Sequence, residues 1–195
     1  MLELARHSVP DPDLILDIGC GTGRLPRSCV RCFPKAMVIG IDPCAEMIDQ
    51  ADTSPTPAQW LQARAEALPF GDHVFSLVLS TLSLRHWQDS HQGLAEISRI
   101  TTHNGTVMIA DALINDVLSP PLPGAPSKVS GRRGNPWRVP RRAIRPRARG
   151  SARVSAGASY ALAQAGLGVE HAEEIVLALA TVTLIVASNS TARTT

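Results

Sequence analysis

The sequence predicts an α/β fold in which a mostly parallel sheet carries helices on both faces. Three observations lead there. Short apolar runs alternate with helical patterns from Leu14 to Asp111. A glycine cluster follows directly on the first of those runs. The chain, at 195 residues, is long enough to bury one real core. Strands alternating with helices pair in parallel through crossovers, and right-handed crossovers leave few topologies to choose from.

Leu14-Ile15-Leu16-Asp17-Ile18 is an apolar run of the kind a fully buried strand needs. The spacing predicts a helix over Arg24–Phe33, with Leu25, Cys29 and Cys32 on one face; Pro26 is tolerated in its first turn and Pro34 ends it. Met37–Asp42 reads as the second strand and Ala45–Ala51 as a short helix. Pro55 and Pro57 mark a loop, Trp60–Ala63 a third strand and Val74–Ser80 a fourth. Ser90–Ile100 has Leu94, Ile97 and Ile100 at helical spacing, Asn104-Gly105 signals a tight turn, and Thr106–Asp111 is the fifth strand. Tyr160–Ala165 is helical and capped by Gly166, and Val169–Val176 and Thr181–Ala187 are the last two strands.

The stretch 120–157 breaks this pattern. It is rich in Pro, Gly, Ser and Arg and has little apolar periodicity, so its composition predicts a flexible insertion. Charge is distributed accordingly. Ten of the nineteen basic residues and none of the seventeen acidic ones fall between Val117 and Val169, leaving the rest of the chain acidic. Ten uncompensated cations could contact phosphates, but Trp137 is the one aromatic residue in the stretch that could stack on a base, so a nucleic-acid partner is possible without being favoured. The longest apolar run, Ile175–Ala187, is too short to span a bilayer, and no secretory signal is visible, so no membrane association and a cytoplasmic location are expected. Cys29 and Cys32 form a CxxC pair with no second pair and no ligand-spaced histidine; they read as packing residues, and no metal site is expected.

Function rests on the loop Asp17-Ile18-Gly19-Cys20-Gly21-Thr22-Gly23 at the end of the first strand. Glycines there let a ligand approach the backbone. A dinucleotide fingerprint would place its third glycine at position 24, which is Arg24, and no Gly-Lys-Ser/Thr follows to make a P-loop. S-adenosylmethionine suits the residues better. Asp17 can accept from its amino group, the helix N-terminus after Gly23 favours its carboxylate, and Asp42, at the end of the second strand, can accept from both ribose hydroxyls.

Leu14–Ala112 resembles the type 11 group of class I S-adenosylmethionine-dependent methyltransferases. The resemblance is carried by Asp17–Gly23, by Asp42-Pro43 followed by Glu46-Met47, by Ala65-Glu66-Ala67-Leu68-Pro69-Phe70 and by Leu84-Arg85-His86-Trp87. It implies a Rossmann-like seven-stranded sheet with the last strand antiparallel. It also implies a cofactor site in which Gly19, Cys20 and Gly21 form the loop, Pro43 and Met47 line the adenine pocket, Ala65 and Glu66 lie near the adenine edge, and Ser80 and Thr81 lie near the methionine part. Four departures stand beside it. Arg64 occupies the place of an aspartate that accepts from the adenine amino group, which an arginine cannot do. Ser76 stands for the usual aspartate early in the fourth strand, with thirteen residues before Leu14 the lid is expected to be short or missing, and the arginine-rich insertion replaces a helical segment.

The expected organisation is therefore a cofactor-binding half (1–119), the insertion (120–157), a helix with the last two strands (158–188) and a disordered tail (189–195). The expected activity is methyl transfer to an unidentified small-molecule acceptor. A nucleic-acid-directed methyltransferase or binder, and a degenerate methyltransferase-fold protein without turnover, are the alternatives. His86 and His91 follow the fourth strand on the acceptor side, so either could act as base; the plainer reading packs His86 with Trp87 and leaves His91 solvated.

Overall fold

The computed structural model describes residues 1–112, 118, 147–151, 154–177 and 180–189. Its strands are β1 (Leu14–Ile18), β2 (Met37–Asp42), β3 (Gln59–Gln62), β4 (Phe75–Thr81), β5 (Thr101–Asp111), β6 (Arg147–Ser151), β7 (Leu167–Leu177) and β8 (Ala180–Asn189). Its helices are α1 (Leu2–Ser8), α2 (Arg24–Cys32), α3 (Ala45–Asp52), α4 (Ser90–Ile100) and α5 (Ala156–Gln164), with one 3-10 turn at Leu84–His86. The strands form one sheet in the order β3-β2-β1-β4-β5-β8-β7-β6. From β3 to β5 all pairings are parallel, while β8 runs antiparallel to both β5 and β7. The seven expected strands are all present, and the last is antiparallel as expected.

β1 shows why the sheet is a continuous apolar run. Ile15 faces a layer with Val38, Leu77, Leu79, Met108 and Leu184 beneath Cys29 of α2 and Ala5 of α1. Leu16 and Ile18 face the other way, onto Val78, Val107, Ile109 and Ile185 beneath Leu94 and Ile97 of α4 and Leu162 of α5. Alternate residues serve opposite layers, so every position must be apolar or pay for its burial. Asp17 is on the Ile15 side, which places its carboxylate under α2.

The structure differs from the sequence reading in four places. α1 lies ahead of the first expected element; seven residues are too few to show a pattern, and it stands because Ala5 is buried against the sheet. Asn104-Gly105 is a bulge inside a longer β5, with Asn104 at φ 66°, where the register against β4 shifts. Arg147–Ser151, within the stretch composition marks as unstructured, pairs with β7 as an eighth, edge strand; residues 120–146 and 152–153 lie outside the described residues. Asn189, expected in a disordered tail, is a buried residue of β8 whose Nδ2 donates to Ser98 O (2.9 Å) and Thr101 O (2.8 Å); 190–195 lie outside the described residues. No helix among the described residues is long and apolar enough to cross a membrane.

Arg99 of α4 ties the segment before β4 to the helix. Its guanidinium donates to Leu68 O, Phe70 O, Asp72 and both carboxylate oxygens of Glu96, and this contact holds the Glu96 carboxyl below its usual range.

Asn189 clamps the α4–β5 junction to β8, so Asn189→Ala is expected to cost about 2 kcal/mol, two buried hydrogen bonds at roughly 1 kcal/mol each. The change reads as a lower urea midpoint at unchanged slope. An unchanged midpoint would show that residue 189 behaves as a free tail.

Candidate functional site

The glycine loop is lashed to the end of β2. Gly19 N–H and Cys20 N–H both donate to Ile41 O at 2.9 Å, and Gly21 N–H donates to Asp42 Oδ2 at 3.0 Å. Gly19, Gly21 and Gly23 all have φ between 52° and 79°, a region side chains rarely adopt. At Gly19 a Cβ would also lie 2.3 Å from Ser83 Cβ, whereas at Gly21 nothing lies within 4 Å. The first glycine thus admits the chain leaving β4, and the second faces open space. Arg27 reinforces the loop from α2: its Nη1 and Nη2 donate to Thr22 O and Ala51 O, both at 2.6 Å, and its guanidinium lies 5.4 Å from the Trp60 ring centroid.

Two carboxylates sit at this junction in opposite circumstances. Asp42 is half-buried and well supplied, taking Gly21 N–H on Oδ2 and Cys44 N–H on Oδ1 at 2.9 Å. Each oxygen keeps a second lone pair for a ligand. Asp17 is 2% exposed, and its Oδ1 has no hydrogen-bond partner. Burial, and then the nearby Asp42 charge, push Asp17 up from its ordinary 3.8 to about 8. Burial, with Asp17 next in order, likewise raises the thiols of Cys20 and Cys29, the latter to about 12. All four cysteines are free thiols, and Cys29 packs in the core. Among the described residues no group of three or more His, Cys, Asp or Glu could hold a metal ion.

A cleft of about 440 Å³ opens beside the loop. Of the residues singled out from the sequence, Gly19, Gly21, Asp42, Pro43, Met47, Ala65, Glu66 and His86 line it. Asp17, Cys20, Ser80 and His91 do not. Asp17 and Cys20 are buried. Ser80 is buried and its Oγ lies 2.7 Å from Ser83 Oγ, which in turn donates to Ile18 O. His91 is exposed in the first turn of α4, where its N–H donates to the Asp89 carboxylate that caps the helix. Glu66 lines the cleft but also braces it: Oε1 accepts Gln88 N–H (2.6 Å) and Asp89 N–H (3.2 Å).

Sequence reasoning missed Leu82, Ser83, Cys44 and Gln88 as lining residues. Ser83, three residues after Ser80, carried a faint signal in its spacing. Leu82 carried none; it enters the cleft because its φ of 56° turns the chain back after β4, a strained conformation for a leucine. Arg64 lines the cleft as well, at the chain position where the resemblance implies an acceptor.

Residues 16–109 match the family model described as a methyltransferase domain. The chain is 35% identical over 105 residues to a malonyl-[acyl-carrier protein] O-methyltransferase of Halorhodospira halophila, covering 51% of this chain and 35% of that one. It is 33% identical over 100 residues to a demethylmenaquinone methyltransferase of Chlorobaculum tepidum, covering 51% and 41%. The chain thus spans about two fifths of the length of the curated relatives it matches. In fold it resembles an S-adenosylmethionine-dependent methyltransferase from Mesorhizobium loti at TM-score 0.65 and 20% identity, over 95% of this chain and 96% of that one.

Two outcomes follow from the loop. Below pH 4 both folded and unfolded chains hold the Asp17 proton; above it the unfolded chain releases it while the folded chain keeps it to about pH 8. This group therefore lowers stability as pH rises from about 4 to about 8. Asp17→Asn is expected to gain melting temperature relative to the parent across that window and none below it; a difference that does not change with pH would refute the buried-acid account. Gly19→Ala is expected to destabilise by about 2 kcal/mol or more, from steric overlap plus ~1 kcal/mol for the backbone. Adding Ser83→Gly should recover only the steric part in chemical denaturation.

Proposed function

We propose that this chain, which carries over residues 16–109 the methyltransferase domain of the class I, type 11 S-adenosylmethionine-dependent family, binds that cofactor in the cleft at the glycine loop and methylates a small-molecule acceptor. One observation carries the proposal: an unpartnered, buried Asp17 oxygen stands two residues ahead of an open-faced glycine loop whose neighbouring Asp42, a lining residue of the cleft, retains acceptor lone pairs.

The residues present fit the cofactor. Ribose hydroxyls are donors, and Asp42 is held in place by two backbone N–H groups without exhausting its acceptor capacity. A ligand carboxylate suits the N-terminus of α2 after Gly23, where backbone N–H groups and the helix dipole favour negative charge. A ligand ammonium suits the side of Asp17, since a positive charge nearby favours the ionised carboxylate that burial otherwise suppresses. Pro43 and Met47 supply apolar surface, and the cleft volume is in the usual range for small-ligand sites.

When bound, S-adenosylmethionine supplies a methyl group made electrophilic by its sulfonium. What the protein contributes is placement and dryness, and alignment of that kind is worth up to about 7–11 kcal/mol of barrier. Glu66 holds the Gln88–Asp89 backbone against the cleft, and the Ser80–Ser83 pair holds the β4 exit against Ile18. Rigid walls on both sides keep the reacting groups in register. The small-molecule reading of the acceptor is supported by the similarity to a demethylmenaquinone methyltransferase; the similarity to a malonyl-[acyl-carrier protein] O-methyltransferase extends it to a small acyl group borne on a carrier protein. The nucleic-acid alternative rests on the basic stretch 120–157, most of which lies outside the described residues. Arg64 favours a second reading, in which the chain binds cofactor without turnover: the base would meet a donor where its amino group needs an acceptor.

Calorimetric titration with S-adenosylhomocysteine tests the proposal. The intact chain is expected to bind, and Asp42→Ala to weaken binding at least tenfold, about 1.4 kcal/mol for lost ribose bonds. Thermal melting of Asp42→Ala separates that loss from loosening of the loop. Absence of binding by a folded intact chain would defeat the proposal, and binding without turnover on carboxylate and quinol acceptors would favour the second reading.

A further inference from the structure

The segment leaving β4 contains a relay that cofactor binding does not use. Asp111, at the C-terminal end of β5, is fully buried, and its Oδ1 lies 3.3 Å from Nη1 of Arg85. Arg85 is itself largely buried, and its Nε–H donates to Nε2 of His86 at 3.2 Å. His86 is exposed and lines the cleft.

The direction of that second bond follows from chemistry. A guanidinium has only donors, so Nε2 must be the acceptor. A neutral imidazole that accepts at Nε2 carries its proton on Nδ1. We propose that Arg85, anchored by Asp111, is a positioning residue that holds His86 as an Nδ1–H hydrogen-bond donor at the rim of the cleft. His86 is then not the general base.

The consequence for the acceptor rests on the methyltransferase reading. While Arg85 occupies Nε2, that nitrogen has no lone pair for an acceptor proton. The ring instead offers an N–H, which suits an acceptor bearing an already ionised oxygen, such as a carboxylate or an enolate. A neutral alcohol, which must lose a proton on methylation, finds no base at His86. Asp111 keeps the arrangement in place, since swinging Arg85 away would leave a buried carboxylate without this partner.

Long-range proton–nitrogen NMR on the full chain, labelled with nitrogen-15 at histidine, reads the tautomer directly and needs neither cofactor nor acceptor. The result is therefore separate from that of the calorimetric titration. His86→Gln identifies the His86 signals among the six histidines. At pH 7.5 the parent is expected to show His86 protonated on Nδ1 and bare on Nε2. Arg85→Lys keeps a cation for Asp111 but lacks the forked donors, so His86 is expected to move to the Nε2–H form that free imidazoles favour in water. Nε2–H in the parent, or an unchanged tautomer in a folded Arg85→Lys protein, overturns the proposal. If Arg85→Lys does not fold, the parent signature decides alone: Nδ1–H supports the proposal and Nε2–H overturns it.

Discussion

The whole site hangs on the hydrogen bonds between the glycine loop and the end of β2. Because β1 and β2 are parallel and in register at Ile18 and Ile41, Ile41 O points at the residues that follow β1. It takes two N–H groups at once, from Gly19 and Cys20. Asp42 then takes the third, from Gly21. A loop with three residues at positive φ would otherwise sample many shapes, and these bonds select one. They also explain why Asp42 has to be an acceptor before any ligand arrives.

The electrostatics of the junction follow from that geometry. β1 is buried on both faces, so the one acid in it cannot reach water, and Asp17 remains protonated well above the usual carboxylate range. A cationic ligand group would relieve a cost already present in the fold, which is a physical reason for affinity that does not depend on new contacts. Elsewhere acids are used as braces. Glu66 holds the backbone at Gln88 and Asp89, and Glu96 holds Arg99 over the segment before β4.

On the other side of the cleft the chain leaves β4 through a strained Leu82 and a buried Ser83 that fits only because residue 19 has no side chain. The next residues present Arg85 and His86, coupled to Asp111 on β5. The family match ends at residue 109, just short of that aspartate. Arg85 and His86 thus lie within the matched part of the chain, and Asp111 lies two residues beyond it.

Most of the architecture was legible from residue order. Alternation of apolar runs with helical spacing located seven strands, and Pro34 and Gly166 marked helix ends by local chemistry. Glycine spacing, with Asp42 at the next strand end, located the cleft. Those signals are local: each depends on a residue and its near neighbours in sequence. What only the tertiary structure decided involves partners far apart. Asn189 is ordered because Ser98 and Thr101 lie within reach, Arg147–Ser151 is a strand because β7 offers an edge, and α1 stands on a sheet surface it cannot supply itself. Glu66 turned out to hold backbone as well as line the cleft, Ser80 to face its neighbour Ser83, and His86 to accept from Arg85. The glycine loop and its two aspartates were thus determined by the sequence by itself, because glycine's conformational freedom and a carboxylate's chemistry belong to the residue. Which of those carboxylates is orphaned, and which ring nitrogen of His86 is free, depended on burial and on neighbours brought together only by folding.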